Sequence, residues 1–454
     1  DSAERWSLAS ICILICVIPI GILARLYEPS LVSLTSDEIA SVYFSLNPAQ
    51  IFLTETHPPL FYLLLAPFSH LFDPYALRTI VALMSLGLIG YGLFLSREIL
   101  SKNGTTILAV LLLLSPPDIF HARTIRQYSL FIELTLIYLI LIQTMRPRWM
   151  RLLVGFCLSG LHPLGWIPIF SFSLWTVIRE KKLTRIMIAD FLIMIPVITW
   201  YGAKLIFVGK EAFFSHYHPA GFKYAPVYVD IMNAFAGEHF PRINHYPIPQ
   251  FSFYLTALFF VAVLIWGMIK VVKKGSSGSF SLVFSLIGVT LIFAALFSMS
   301  VVDIWNGRFF LFLIAAIYLM GAQLIGHLKW APIVIALIFL SNLIIIQPFR
   351  PYLSDRELFN YYESVKKMSP NIELVFCGNF FQKWYYVKDK SRDCHSDLEL
   401  VHNSGKEFVL IDLNGQGVKE LNTFTKKLKN SDYFRINYTA VVRGKFINPQ
   451  TKSE

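Results

Sequence analysis

The sequence predicts a polytopic α-helical membrane protein carrying a small soluble α/β domain at its C-terminal end. Three observations carry that prediction. Of 454 residues, 55% are hydrophobic and only 15% are charged, far from the balance of a soluble domain. Apolar segments of membrane-span length succeed one another as far as residue 347. From Pro348 onward the apolar runs give way to short, alternating helix-like and strand-like stretches.

The candidate spans are 7–26, 76–96, 105–120, 128–145, 151–161, 163–178, 186–207, 251–270, 280–300, 308–326 and 330–347, about eleven crossings. The first is expected to be an anchor, since no small-residue cleavage site follows it. Several are shorter than the roughly 20 residues of a straight crossing, notably the pair around His162-Pro163. Such broken helices persist only inside a bundle or beside a water-filled cavity. Residues 58–72 are expected to add a partly inserted helix.

Basic residues fix the orientation. Arg97 and Lys102, Arg146, Arg148 and Arg151, Arg179, Lys181, Lys182 and Arg185, and Lys270, Lys273 and Lys274 fall in alternate loops, which are therefore cytoplasmic. The other loops are longer and hold the unusual chemistry: 27–57, 117–127, 208–250, 301–307 and everything after 347. The expected division is a membrane domain over 1–347, with extracytoplasmic loops 27–57 and 208–250, and an extracytoplasmic α/β domain over 348–454. Helix-like RELFNYYESVKKM, strand-like IELVFC and EFVLIDL, and the β-rich YFRINYTAVVRGKFI make up the latter. Cys377 and Cys394 are the two cysteines of that domain, and an oxidising outer face favours pairing them. Closing that 18-residue loop would contribute about 3 kcal/mol in the chain-entropy model.

The net charge of +11 does not indicate nucleic acid, because the basic residues sit in short loops between apolar runs. No zinc-finger spacing, Walker motif or G-x-G-x-x-G supports a nucleic-acid or nucleotide site either.

The most informative stretch is LTSDEIASVYFSLNPAQIFLTETHPPL, residues 34–60. Ile39, Val42, Tyr43 and Leu46 recur at i, i+3, i+4 and i+7, which predicts a short amphipathic helix over 36–46 ended by Pro48. Asp37 and Glu38 open it and His57-Pro58-Pro59 follows. A plain structural use exists for each: Thr35-x-x-Glu38 is a capping box, two acids suit a helix dipole, and His57 before two prolines can cap the next helix. An acidic pair, a histidine and an apolar stripe at a membrane edge also fit an interfacial active site.

The acidic pair after the first span, followed by His57-Pro58-Pro59-Leu60-Phe61-Tyr62, resembles the GT-C superfamily of membrane glycosyltransferases. Within it, the chain is most similar to the protein O-mannosyltransferase-like and lipid A aminoarabinose transferase-like enzymes. The resemblance is best over the first third and thins afterwards. It implies a GT-C-like fold, a polyprenyl-phosphate-linked sugar donor and Asp37 as the catalytic carboxylate, with Glu38 orienting the acceptor or capping its helix. Arg126-Gln127-Tyr128-Ser129-Leu130 resembles the family's arginine–X–tyrosine element, which implies that Arg126 and Tyr128 grip the donor phosphate with His57. Arg123 is an additional cation in the same cluster. His162 stands where the family has a threonine–histidine–tyrosine element, of which only the histidine is present. Arg308, followed by Phe309 where a tyrosine is usual, resembles a late arginine–tyrosine element; it can equally anchor a helix to lipid headgroups.

Glu133 lies seven residues after Arg126, hence on one face of a continuous helix and about 10 Å along it. A glutamate so deep in a span must be paired or face a cavity, as a structural partner of Arg126 or a lining of the acceptor cavity. His216, His218, Glu238, His239 and His245 in the 208–250 loop match no metal-cage spacing. A divalent cation near Asp37 stays open, because some GT-C enzymes need one and others do not.

The chemistry fits the residues. A leaving phosphate gathers negative charge that fixed arginines and a helix N-terminus stabilise, and an incoming hydroxyl sheds a proton that a carboxylate accepts. The expected partners are a polyprenyl-phosphate-linked sugar, a lipid, glycan or protein acceptor, and membrane lipids, at a bacterial inner membrane with the site on the periplasmic side. Two other classes compete: a transporter or flippase of lipid-linked saccharides, and a non-catalytic membrane scaffold. Flippases usually show internal repeats, and none is visible in this sequence.

Overall fold

The computed structural model describes residues 7–27, 29, 34–55, 57–144, 146–181, 185–207, 218–219, 247–274, 279–300, 302–303, 311–346, 363–377, 398, 407–412, 428–436 and 439–446. The chain divides into two compact units, Asp1–Pro29 with Phe44–Pro348, and Ser30–Tyr43 with Phe349–Glu454.

The larger unit is helical. Its elements are α1 (Leu8–Leu26), the end of α2 (Ser36–Leu46), α3 (Pro48–Thr54), α4 (Leu60–Ser69), α5 (Pro74–Ser96), α6 (Lys102–Leu113), α7 (Pro116–Ala122) and α8 (Tyr128–Gln143). There follow α9 (Arg148–Leu161), α10 (Trp166–Glu180), α11 (Arg185–Phe207), α12 (Pro247–Lys274), α13 (Ser279–Ser300), α14 (Phe312–Ile325) and α15 (Ala331–Ile346). Strands β1 (His218–Pro219) and β2 (Val302–Asp303) pair antiparallel.

Local chemistry sets the helix starts. Ser7, Asp73, Ser101 and Ser115 cap α1, α5, α6 and α7 by accepting backbone N–H groups of the first turn. Pro74 and Pro116 stand at first helical positions, where a missing N–H costs nothing. The expected single span 105–120 is instead α6 and α7, bent by 55°. The Ser115-Pro116-Pro117 run explains the break: proline cannot continue the ladder of α6, but it can begin α7.

Among the described residues, α8 is the central element, with every residue from Tyr128 to Leu141 buried. α6, buried from Gly104 to Leu113, and α14 complete the interior. α1 meets α6 at Gly21, where an added Cβ would lie 2.8 Å from the Leu113 Cβ, so only glycine permits this approach. The outer helices turn apolar stripes outward, as Ile11, Ile15, Ile18 and Ile22 do on α1 and Ile188, Phe191, Leu192, Ile195 and Ile198 do on α11. Polar groups such as Arg25, Asp118, Glu133 and His162 are buried instead. Apolar outside and polar inside is the arrangement a bilayer favours. Leu8–Leu26, Pro74–Ser96 and Ile188–Ile206 are long and apolar enough to cross a membrane, and the bent pair α6–α7 would make a fourth.

The second unit contains a four-stranded sheet, order β3-β4-β6-β5, from β3 (Glu373–Cys377), β4 (Glu407–Asp412), β5 (Leu428–Ile436) and β6 (Thr439–Phe446). β3 pairs parallel to β4 with Glu373 opposite Phe408, while β6 runs antiparallel to both β4 and β5. Phe408, Val409, Leu410 and Ile411 are all buried, as expected for a central strand covered on both faces. A helix at 363–368 precedes β3, and its Val365 is buried with Ile372 and Val375. The unit also holds residues 30–43 and therefore the start of α2.

Candidate active site

The predicted helix over 36–46 is present as α2. Its first turn is the capping box read from the sequence. Glu38 Oε2 accepts the Thr35 N–H at 2.9 Å, and the Glu38 N–H donates to Thr35 Oγ1 at 3.2 Å. The buried Glu38 thus has a structural task. Asp37 on the same turn is half-buried, and its carbonyl accepts the Ser41 hydroxyl at 3.0 Å.

The polar cluster of the larger unit is built from three interruptions of helix. The first lies between α3 and α4. Glu55, the residue after α3, turns its carboxylate onto His57, and its Oε1 accepts both the His57 N–H at 2.8 Å and the ring Nδ1–H at 2.7 Å. Pro58 and Pro59 follow at once, and α4 begins at Leu60. Burial alone would raise the Glu55 carboxyl. The hydrogen bond from His57, together with the charges of His57 and Arg126, outweighs burial and holds it down to about 2. The Tyr62 side chain, on the first turn of α4, interacts with the same carboxylate and meets the Phe44 ring edge-on. Lys204 of α11 closes the end of α3, donating to the carbonyls of Ile51 and Phe52 at 2.7 and 2.6 Å.

The second interruption joins α7 to α8. The Arg126 N–H bonds to the Thr124 carbonyl at 2.8 Å, and this tight bend delays α8 until Tyr128. Arg126 therefore precedes α8, and the expected common helix face with Glu133 does not form. The Arg126 guanidinium instead stands over the Tyr128 ring, 5.6 Å from its centroid, and its charge acts on Glu55. Gln127 is fully buried, and neither atom of its amide has a hydrogen-bond partner among the described residues. Arg123 turns the other way: it donates to the carbonyls of Ala24 and Tyr27 at the C-terminus of α1, at 3.3 and 3.0 Å. That is an ordinary way for arginine to satisfy a helix end.

The third interruption is His162-Pro163, between α9 and α10. Gly165 makes this turn feasible, since a Cβ there would fall 1.9 Å from the Leu158 carbonyl oxygen. The Leu164 N–H donates to His162 Nδ1 at 3.2 Å, which assigns the proton of the neutral ring to Nε2. His162 stacks on Phe131 at 4.5 Å and lies 5.6 Å from the Tyr128 ring and 6.1 Å from the His57 ring. His121 of α7 approaches Tyr128 at 5.0 Å. Glu55, His57, Arg126, Tyr128 and His162 thus form one cluster of acid, cation and imidazole framed by aromatic rings. Glu55 was not singled out in the sequence, although its place two residues before a His-Pro-Pro turn was a usable signal.

Glu133 belongs to a different network. It accepts from the Ser85 hydroxyl of α5 and acts electrostatically with Asp118. Asp118 is bonded to Arg25 at 2.6 Å, and Arg25 also donates to the carbonyls of Gly21, Leu112 and Leu113. Tyr318 of α14 donates to Ser115 Oγ at 2.8 Å beside this pair. These bonds tie α1, α6, α7, α8, α5 and α14 together, and the second Glu133 oxygen, Oε2, is buried without a hydrogen-bond partner among the described residues.

Arg308, Cys394, His216, Glu238, His239 and His245 lie outside the described residues; for Cys377 and His218 only the backbone, in β3 and β1, is described. Among the described residues no three His, Cys, Asp or Glu side chains gather as a metal ion would require.

No family model matches the chain, and no curated protein does. Solved structures do. The crystal structure of ArnT from Cupriavidus metallidurans bound to undecaprenyl phosphate is similar in fold over 96% of this chain and 97% of its own, with a TM-score of 0.54 at 12% identity. ArnT from the same organism in the apo state aligns over 96% and 98% with a TM-score of 0.49 at 11% identity. The chain thus shares its fold with ArnT. With its lipid-length apolar helices, it is an integral membrane protein.

Proposed function

We propose that the chain is a GT-C glycosyltransferase that moves a sugar from a polyprenyl-phosphate-linked donor to an acceptor hydroxyl on the extracytoplasmic side of a bacterial inner membrane. The observation that carries this reading is the meeting of the His57-Pro58-Pro59 turn, Arg126, Tyr128 and His162 in one polar cluster. The motifs that bring the family resemblance thereby coincide with the buried, charged part of an ArnT-like fold. ArnT is seen with undecaprenyl phosphate, which supports the same class of lipid carrier here.

In this mechanism the acceptor oxygen attacks the anomeric carbon while the bond from that carbon to the phosphate oxygen breaks. Asp37 takes the hydroxyl proton, and the polyprenyl phosphate leaves with the electron pair. Arg126, His57 and Arg308 neutralise the charge that grows on the phosphate, and Tyr128 holds the Arg126 plane. About eleven crossings, an outward-facing α/β domain over 348–454 and a Cys377–Cys394 disulfide complete the proposal. The acceptor class spans lipid, glycan and protein hydroxyls.

Asp37→Asn is the direct test. Loss of a general base lowers turnover by roughly two to four orders of magnitude, with the protein still folded and still binding donor. Near-normal turnover in that variant would remove Asp37 from the role of base.

A further inference from the structure

We propose that Glu55 is a positioning residue for this transfer: it holds the His57 ring so that Nε2 is the ring nitrogen offered to the donor phosphate. The inference rests on the reading of the donor as a polyprenyl-phosphate sugar.

The geometry has three parts. One carboxylate oxygen receives two donors from one residue, the His57 N–H at 2.8 Å and Nδ1–H at 2.7 Å. A carboxylate only accepts, so the Nδ1 proton is assigned, and ring and backbone are fixed together. His57 Nε2 is buried and has no hydrogen-bond partner among the described residues. A buried ring nitrogen left without a partner is costly, and an arriving ligand oxygen removes that cost. The flanking chain allows little else: Pro58 biases His57 toward extended backbone, and neither Pro58 nor Pro59 has an N–H to compete for Glu55.

The electrostatics agree. Glu55 stays ionised through the physiological range, and Arg126 acts on it, so its charge is balanced before any phosphate arrives. As the bond to the sugar breaks, a His57 ring carrying a proton on each nitrogen donates Nε2–H to a phosphate oxygen while Nδ1–H stays on Glu55. His57 surrenders no proton, because the acceptor's proton goes to the base.

Undecaprenyl phosphate binding to the full-length protein in detergent tests this, across wild type, Glu55→Ala, His57→Ala and the double variant. Each single change is expected to weaken binding about tenfold or more, as loss of a hydrogen bond to a charged group does. The double variant should be no weaker than His57→Ala alone, because Glu55 acts through His57. Glu55→Gln, which preserves shape and one acceptor, serves if the alanine variant fails to fold. Its amide oxygen can still accept Nδ1–H, so Glu55→Gln should bind undecaprenyl phosphate more tightly than Glu55→Ala. Additive losses, or Glu55→Gln binding as weak as that of His57→Ala, would overturn the proposal while leaving the function intact. A wild-type protein that ignores undecaprenyl phosphate overturns both.

Discussion

Breaking the buried Arg25–Asp118 pair should be among the costliest single changes in the membrane unit. Both side chains are essentially without solvent, and Arg25 Nη2 sits 2.6 Å from the carboxylate. Asp118→Leu removes the counter-charge but leaves the guanidinium on the carbonyls of Gly21, Leu112 and Leu113, at 3.1, 2.8 and 2.8 Å. An uncompensated buried charge costs about 3–5 kcal/mol. The three remaining acceptors keep the expected loss near the lower end, about 3 kcal/mol or roughly a hundredfold in the folding equilibrium. Denaturation of the detergent-solubilised protein, followed by tryptophan fluorescence, measures it. The double variant Arg25→Met with Asp118→Leu removes both charges and should recover most of the loss, because well-packed apolar groups often match a buried ion pair. Full stability in Asp118→Leu alone, or a double variant as weak as the single, would refute the argument.

Two further outcomes are expected. Arg126→Ala should weaken undecaprenyl phosphate binding by at least tenfold, as a lost charge-assisted contact does, with acceptor affinity unchanged; equal loss for both ligands would make Arg126 structural. Glu55 is held at about 2, below its ordinary value of 4.5. Its contribution to stability is therefore complete above pH 4.5 and lost as pH falls through 4.5 toward 2. An acid-unfolding curve of Glu55→Gln should lack that part of the decline, and an unchanged curve would contradict it.

Sequence made the helices legible where a single rule governs them. Hydropathy located the long apolar segments, and the i, i+3, i+4 pattern gave α2 its bounds of 36 and 46. The capping box at Thr35 and Glu38 was readable because both partners lie within one turn. Long-range partners were not. Periodicity tells which face a residue occupies but not which helix it will meet, so Glu133 was matched with Arg126, seven residues away. Its partner Ser85 is 48 residues away, and Arg25 finds Asp118 across 93. The Arg126–Glu133 expectation also assumed an unbroken helix, and the bend through Thr124 and Arg126 removes that assumption.

Why the candidate site stands where it does follows from the breaks themselves. His57 precedes Pro58-Pro59, His162 precedes Pro163, and Arg126 follows the α7 segment that Pro116-Pro117 begins. Each interruption takes N–H and C=O groups out of the helical ladder, and lipid offers those groups nothing in exchange. Each break therefore satisfies freed groups within its own turn. Glu55 takes the His57 N–H, His162 takes the Leu164 N–H, and Arg126 folds its own N–H onto Thr124. The aromatic rings of Phe131 and Tyr128 then pack over what remains. The same clustering concentrates cation and imidazole donors at one place inside an apolar bundle. There the proposed donor phosphate would meet donors already oriented, in a medium that weakens their attraction far less than water would.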